Sequence, residues 1–188
     1  MRGEFVVIRA IGLVEFNSIA KGIEAADAMV KSAQVELIQS RTICPGKYIA
    51  LVCGDVAAVE NAVKAGVNLG GAFVVDEFVL PNVHPSVIPA ISAVTAIEDV
   101  QALGIIEVFS TASCIVAADT AVKAAEVDLI EVRLGIGIGG KAFVTLTGDV
   151  AAVKAAIEAG AESVSEKGLL VNKVVIPSPH KYLKPWII

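Results

Sequence analysis

Three cysteines, two histidines and one glycine-rich loop are the features of this 188-residue chain whose types and spacing could do chemistry. A thiolate is a nucleophile and a soft metal ligand, whereas a protonated thiol in a core is a small hydrophobe. Cys44 stands in Thr42-Ile43-Cys44-Pro45-Gly46-Lys47, a Pro-Gly turn in which its side chain need not enter a core. Cys53 ends a β-rich run and Cys114 falls on a helical stretch, so both read as packing residues. On general grounds a lone thiol is inert, and one thiolate per chain cannot hold a metal cluster that takes about four ligands. Gly135, Gly137 and Gly140 match a dinucleotide fingerprint as text. That fingerprint needs a helix after it to receive a pyrophosphate. Lys141-Ala142-Phe143-Val144-Thr145 follows instead and reads as a strand. His84 and His180 close Pro-x-x-His strings, with no Cys or His partner at metal spacing. No Ser-His-Asp set, nucleophile elbow or phosphate loop occurs, and no enzyme is expected.

These residues sit in a sequence written twice. Ala10-Ile11-Gly12-Leu13-Val14-Glu15 returns as Ala102-Leu103-Gly104-Ile105-Ile106-Glu107. Gly54-Asp55-Val56-Ala57-Ala58-Val59 returns as Gly148-Asp149-Val150-Ala151-Ala152-Val153. Val79-Leu80-Pro81-Asn82-Val83-His84 returns as Val175-Ile176-Pro177-Ser178-Pro179-His180. The copies diverge most in one loop, residues 42–47 against 134–141, which is two residues longer in the second copy. Duplication with one specialised loop points to an assembly unit in which one copy kept a chemical task. Glu15 and Glu107 recur at equivalent positions, which favours a structural role over acid–base catalysis.

Each repeat reads strand, helix, strand, strand, helix, strand. In the first copy the strands are expected at 10–16, 35–43, 48–53 and 73–80. Ser18 and Asp55 are the expected N-caps of helices over 18–33 and 56–69, with Ser110 and Asp149 repeating them. The βαββαβ order predicts an α+β fold: two tandem ferredoxin-like domains, each an antiparallel sheet with helices on one face. The first domain is expected over 1–94, with 1–9 as an extension that could lengthen the first strand and 84–93 as a short helix. A connector follows over 95–101, then the second domain over 102–188.

The composition bounds the partners. The net charge of −5, with lysines and arginines scattered, argues against nucleic acid. The hydrophobic fraction is 55%, yet no apolar run reaches the ~18–20 residues of a membrane helix. Excess apolar surface without a membrane span favours a homo-oligomer, and the apolar tail over 182–188 is expected to pack on a neighbour. The N-terminus shows no signal pattern, and three cysteines that match none in the other copy fit a reducing compartment.

Gly22-Ile23-Glu24-Ala25-Ala26-Asp27-Ala28-Met29-Val30-Lys31-Ser32-Ala33, the doubled Gly-Asp-Val-Ala-Ala-Val and the closing Pro-Ser-Pro-His resemble the bacterial microcompartment shell domain. The resemblance runs twice, from about Ala10 to His180, and is greatest to tandem-domain shell proteins of propanediol-utilisation microcompartments. It implies a structural protein of the microcompartment shell in the cytoplasm: a homotrimer mimicking a hexamer, tiled with other shell proteins. It implies a central pore lined by Thr42, Ile43, Cys44, Pro45 and Gly46 and by Gly135, Ile136, Gly137, Ile138 and Gly139. It also implies an iron–sulfur (4Fe–4S) cluster, one per trimer, on three Cys44 ligands. The cluster would carry electrons across the shell, with a redox enzyme inside as a further partner. Lys31 and Lys123 match the lysines that make edge contacts. The family often has Arg in its closing Pro-Arg-Pro-His; Asn82 and Ser178 stand there, a departure that bears on tiling and not on fold. The alternatives are a plain tile whose pore passes small polar metabolites and a ferredoxin-like small-ligand sensor.

Overall fold

A computed structural model of the chain describes residues 8–165 and 169–187. It divides into two units, Met1–Val83 and His84–Ile188. The first holds β1 (Ala10–Phe16), α1 (Ile19–Ser32), β2 (Glu36–Ile43), β3 (Lys47–Gly54), α2 (Val56–Gly70) and β4 (Val74–Pro81). The second opens with the short α3 (Val87–Ile91). It continues through β5 (Ala102–Val108), α4 (Thr111–Ala124), β6 (Asp128–Leu134), β7 (Ala142–Gly148), α5 (Val150–Ser165) and β8 (Leu170–Ile176). Each unit forms an antiparallel four-stranded sheet, in the orders β2-β3-β1-β4 and β6-β7-β5-β8. The α+β expectation is met in both copies.

The register repeats as closely as the sequence does. Ala10 pairs with Gly54 and Ala102 with Gly148. Irregularities fall at Glu15/Phe16 and Glu107/Val108, and again at Leu37/Gln39 and Leu129/Glu131. β1 lies between two partners and is buried on both faces, which explains its near-continuous apolar run. Ala10, Val14 and Phe16 pack with Ala25, Met29 and Val59 from α1 and α2. Gly12 lets α2 approach, because a Cβ there would lie 2.6 Å from both Val59 Cγ1 and Val63 Cγ2. Alanines thin the core further, so the helices lie close on the sheet.

Two serines cap as their position predicts: Ser18 Oγ accepts from Lys21 N–H at 3.4 Å and Ser110 Oγ from Ser113 N–H at 3.2 Å. Asp55 does not. It occupies the N-cap of α2 without a side-chain cap bond, and its carboxylate lies 3.8 Å from Arg9 Nε.

The division after Val83 falls earlier than the boundary read from sequence, for a physical reason. α3 packs on β6 and α4, burying Val87 and Ala90. Further on, Ile97 and Val100 join Leu103, Ile130, Ile176 and Ile187 in one apolar cluster of the second unit. Residues 84–101 therefore belong to the second unit rather than to a first-domain tail and connector. Ile187 shows that the C-terminal segment packs partly on its own unit, where Lys184 also pairs with Asp99 at 2.8 Å. Tyr182 and Trp186 stay exposed. Residues 1–7, read as an extension of the first strand, and Ile188 lie outside the described residues. Among the described residues no helix is long and apolar enough to cross a membrane.

Candidate functional site

The β2–β3 ladder closes on the pair Ile43 and Lys47, which leaves Cys44, Pro45 and Gly46 as a tight turn. Ile43, held in the last pair of the ladder, is buried. Thr42, Pro45 and Gly46 are exposed and Cys44 is half-buried. The Cys44–Pro45 peptide is cis, and Gly46 has a positive φ of 74° with open space where a side chain would stand. Only glycine adopts that backbone at no cost.

The longer loop after β6 is built on the same requirement, repeated. Gly135, Gly137, Gly139 and Gly140 take φ values of 62°, 72°, 66° and 82°. Gly135 is buried, whereas Ile136, Gly137 and Gly139 are exposed and Ile138 is half-buried. The glycines answer a left-handed backbone rather than crowding within the chain: Gly137 and Gly139 have open space around them. Of the ten residues assigned to the pore, Ile43 and Gly135 are thus covered by their own chain. The others reach the surface at least in part.

Both loops are tethered where they end. Lys47 Nζ meets Glu15 Oε1 at 2.7 Å, and Lys141 pairs with Glu107. The Glu15 side chain is only 3% exposed, and its Oε2 has no hydrogen-bond partner among the described residues. The sequence showed the recurring glutamates but not their partners. The signal was present, since a lysine closes the loop in both copies.

The remaining thiols are unlike Cys44. Cys53 and Cys114 are buried. Burial pushes the Cys53 thiol up, with a smaller contribution from the charge of Glu36. It pushes Cys114 far above the ordinary thiol range, with Glu131 adding to the effect. Both are held as neutral packing groups. Among the described residues no three His, Cys, Asp or Glu side chains of one chain converge to hold a metal.

The helix lysines are each held by an aspartate one turn before. Lys31 Nζ lies 2.6 Å from Asp27 and Lys123 Nζ 2.6 Å from Asp119. The histidines are not brought to either loop: His84 Nδ1 is 2.8 Å from Ser86 Oγ, and the His180 ring packs edge-on against Tyr182. The second unit also bears an open cleft of about 270 Å³ between residues 93–97, β6 and Trp186.

The BMC domain family matches this chain twice, over residues 10–83 and 102–179. The chain is 52% identical over 173 residues to the bacterial microcompartment shell protein PduT of Citrobacter freundii, covering 92% of this chain and 94% of that protein. It is 43% identical over 82 residues to the shell protein PduA of the same organism, covering 42% of this chain and 86% of PduA. A solved microcompartment protein from Desulfitobacterium hafniense DCB is 62% identical and superposes with a TM-score of 0.89, covering 94% of this chain and 98% of that one. A fused permuted hexameric shell protein of the RMM microcompartment, 21% identical with a TM-score of 0.60, covers 84% of this chain and 82% of its own and shares the fold.

Proposed function

The chain belongs to the BMC domain family, with two copies of the domain in tandem, and from that membership we propose that three copies close into a pseudo-hexameric tile with the two loops around its axis. It is a structural protein of a bacterial microcompartment shell; relatives matched over nearly its whole length are shell proteins, not enzymes. The observation that carries the reading is the duplication, in which strand order, register and bulge positions all repeat. Less than half of this chain matches most of PduA, so one chain supplies two such domains and three chains would supply six. Closed cyclic assembly is the usual way such units bury leftover apolar surface. Lys31 and Lys123 would sit at the tile's edge, where other shell proteins are its neighbours.

Three Cys44 thiolates, one from each chain, would hold a 4Fe–4S cluster at the axis. When bound, the cluster supplies one-electron transfer across the shell, with a redox enzyme inside as its partner. The residues present fit that group. Cys44 is a free thiol in a turn rather than in a core, and its neighbours Pro45 and Gly46 stand at the surface. The other two thiols are buried and neutral. One ligand per chain is too few for a cluster, and three chains supply three, leaving one iron for water or another ligand. Iron would also neutralise the thiolates that such convergence brings together.

The plain-pore reading is supported by the second loop, whose surface glycines expose backbone donors and acceptors to polar solutes. Anaerobic reconstitution separates the two. The cluster reading expects brown absorbance and a reduced-state paramagnetic signal from wild type, Cys53→Ser and Cys114→Ser. Cys44→Ser should lose both and keep the mass of three chains. Equal iron in wild type and Cys44→Ser, or iron in neither, leaves the plain pore.

A further inference from the structure

The first helices of the two copies are alike in sequence but unequally covered. In α4, Ile115, Asp119 and Val122 are buried. Their counterparts in α1 are Ile23, Asp27 and Val30, and all three are exposed, Ile23 at 54%. The following strands repeat the contrast, with Leu129 at 2% and Leu37 at 42% exposure. The same surface therefore occurs twice, once covered and once open.

Hydrogen bonds show what meets the covered copy. Asp119 Oδ2 takes Lys123 Nζ at 2.6 Å, and its Oδ1 accepts the backbone N–H of His84 at 2.7 Å. Asp27 Oδ2 takes Lys31 Nζ at 2.6 Å in the same way. Nothing among the described residues donates to Asp27 Oδ1.

The donor side is duplicated too. His84 and His180 end the two copies of the Pro-x-x-His string, and their turns fold alike. His84 Nδ1 accepts from the Ser86 N–H and His180 Nδ1 from the Tyr182 N–H, both at 3.3 Å. Beyond them Val87, Pro89 and Ile91 return as Leu183, Pro185 and Ile187. Val87 is fully buried, in the helix that packs on β6 and α4, whereas Leu183 is 41% exposed. The His180 N–H has no acceptor among the described residues. One donor–acceptor set is joined within the chain; an equivalent set is left open near its two ends.

We propose that the closing segment, from Pro179 onward, docks on the α1–β2 face of a second copy of this chain, with the His180 N–H donating to Asp27 Oδ1 as His84 donates to Asp119. The inference rests on the trimer reading and assigns its contact. A donor at one end and an acceptor at the other make a head-to-tail interface, which gives a ring where the rotation closes. Three such contacts would close the tile. Docking would cover Ile23, Val30 and Leu37, as Ile115, Val122 and Leu129 are already covered, and would place a carboxylate–amide hydrogen bond out of water, where it is strongest.

The test is mass by sedimentation over a dilution series. Wild type is expected as three chains. Asp27→Ala, at an exposed position, should weaken assembly by about tenfold or more while circular dichroism stays unchanged. Asp27→Asn keeps a carbonyl acceptor and should lose less. His180→Pro removes the donor N–H and should match Asp27→Ala. Mixed one to one, Asp27→Ala and His180→Pro chains share one intact donor and one intact acceptor, so they should pair as open dimers that neither forms alone. A wild-type trimer that neither substitution weakens overturns this contact and leaves the trimer reading standing. A wild-type monomer at micromolar concentration removes the trimer reading and the contact with it. A monomer that assembles only when a single-domain relative is added assigns the open face to that partner and overturns self-docking.

Discussion

At the scale of single residues, the two loop tethers look like one interaction repeated, yet their surroundings make them unequal. Glu15 is 3% exposed and Lys47 27%, whereas Glu107 and Lys141 are 30% and 39% exposed. Removing the partner of a covered charge leaves it without water or counter-charge, and that cost exceeds what the pair contributes when intact. Lys47→Met should therefore destabilise its unit by about 3 kcal/mol, near the low end for broken buried pairs. Lys141→Met leaves a carboxylate that water can reach and should cost about 1 kcal/mol or less. Urea titrations of the two variants check the order, and equal midpoints would remove the distinction. Cys44 shows how far a residue reading reaches. Its neighbours Pro45 and Gly46 marked a turn, and the structure keeps the thiol out of the core. Nothing in one chain's sequence brings thiols from three chains together, and that part of the proposed site rests on the resemblance alone.

At the scale of elements, packing depends on absences as much as on side chains. Gly12 lies where α2 crosses β1, and an added methyl would meet Val59 and Val63 at 2.6 Å. Those contacts are side-chain ends, which can shift but not without moving a thin core. Gly12→Ala should lower stability by about 1–3 kcal/mol, the usual range for overpacking, read as a drop in melting temperature with the far-ultraviolet spectrum retained. An unchanged melting temperature would mean that the valines rotate away freely. The regular elements were legible because their periods are local: β1, α1, β3 and α2 fall within a residue or two of where apolar spacing and N-cap residue types put them. Three features were not. Asp55 has the right type for a cap, but its carboxylate lies toward Arg9, a residue outside the helix signal. Ile43 is covered because the ladder closes on Lys47, a register that a turn prediction does not contain. Residues 84–101 join the second unit through β6 and β5, contacts distant in sequence that no linear reading weighs.

At the scale of the whole molecule, the two lysines proposed for the tile's edge would tie assembly to the surface of each unit. Lys31 is held by an exposed aspartate and is itself 72% exposed, whereas Lys123 is 40% exposed beside an aspartate 5% exposed. An ammonium held in place by its neighbour loses less rotamer freedom when a second tile approaches, and its stem offers apolar surface to pack on. Reversing the charge would be a poor test, because an aspartate at position 123 would face the covered Asp119 and penalise folding itself. Neutral truncation isolates the edge. Lys31→Ala leaves Asp27 Oδ1 for the proposed contact with the His180 N–H of the next copy, and Lys123→Ala leaves Asp119 bonded to the His84 N–H at 2.7 Å. The double variant should keep the wild-type solution mass, since Lys31 holds Asp27 Oδ2 and the proposed contact with the His180 N–H uses Oδ1. It should nonetheless fail to form extended sheets in electron micrographs under conditions in which wild type tiles. Sheets that persist unchanged would remove both lysines from the edge and leave tiling to other groups.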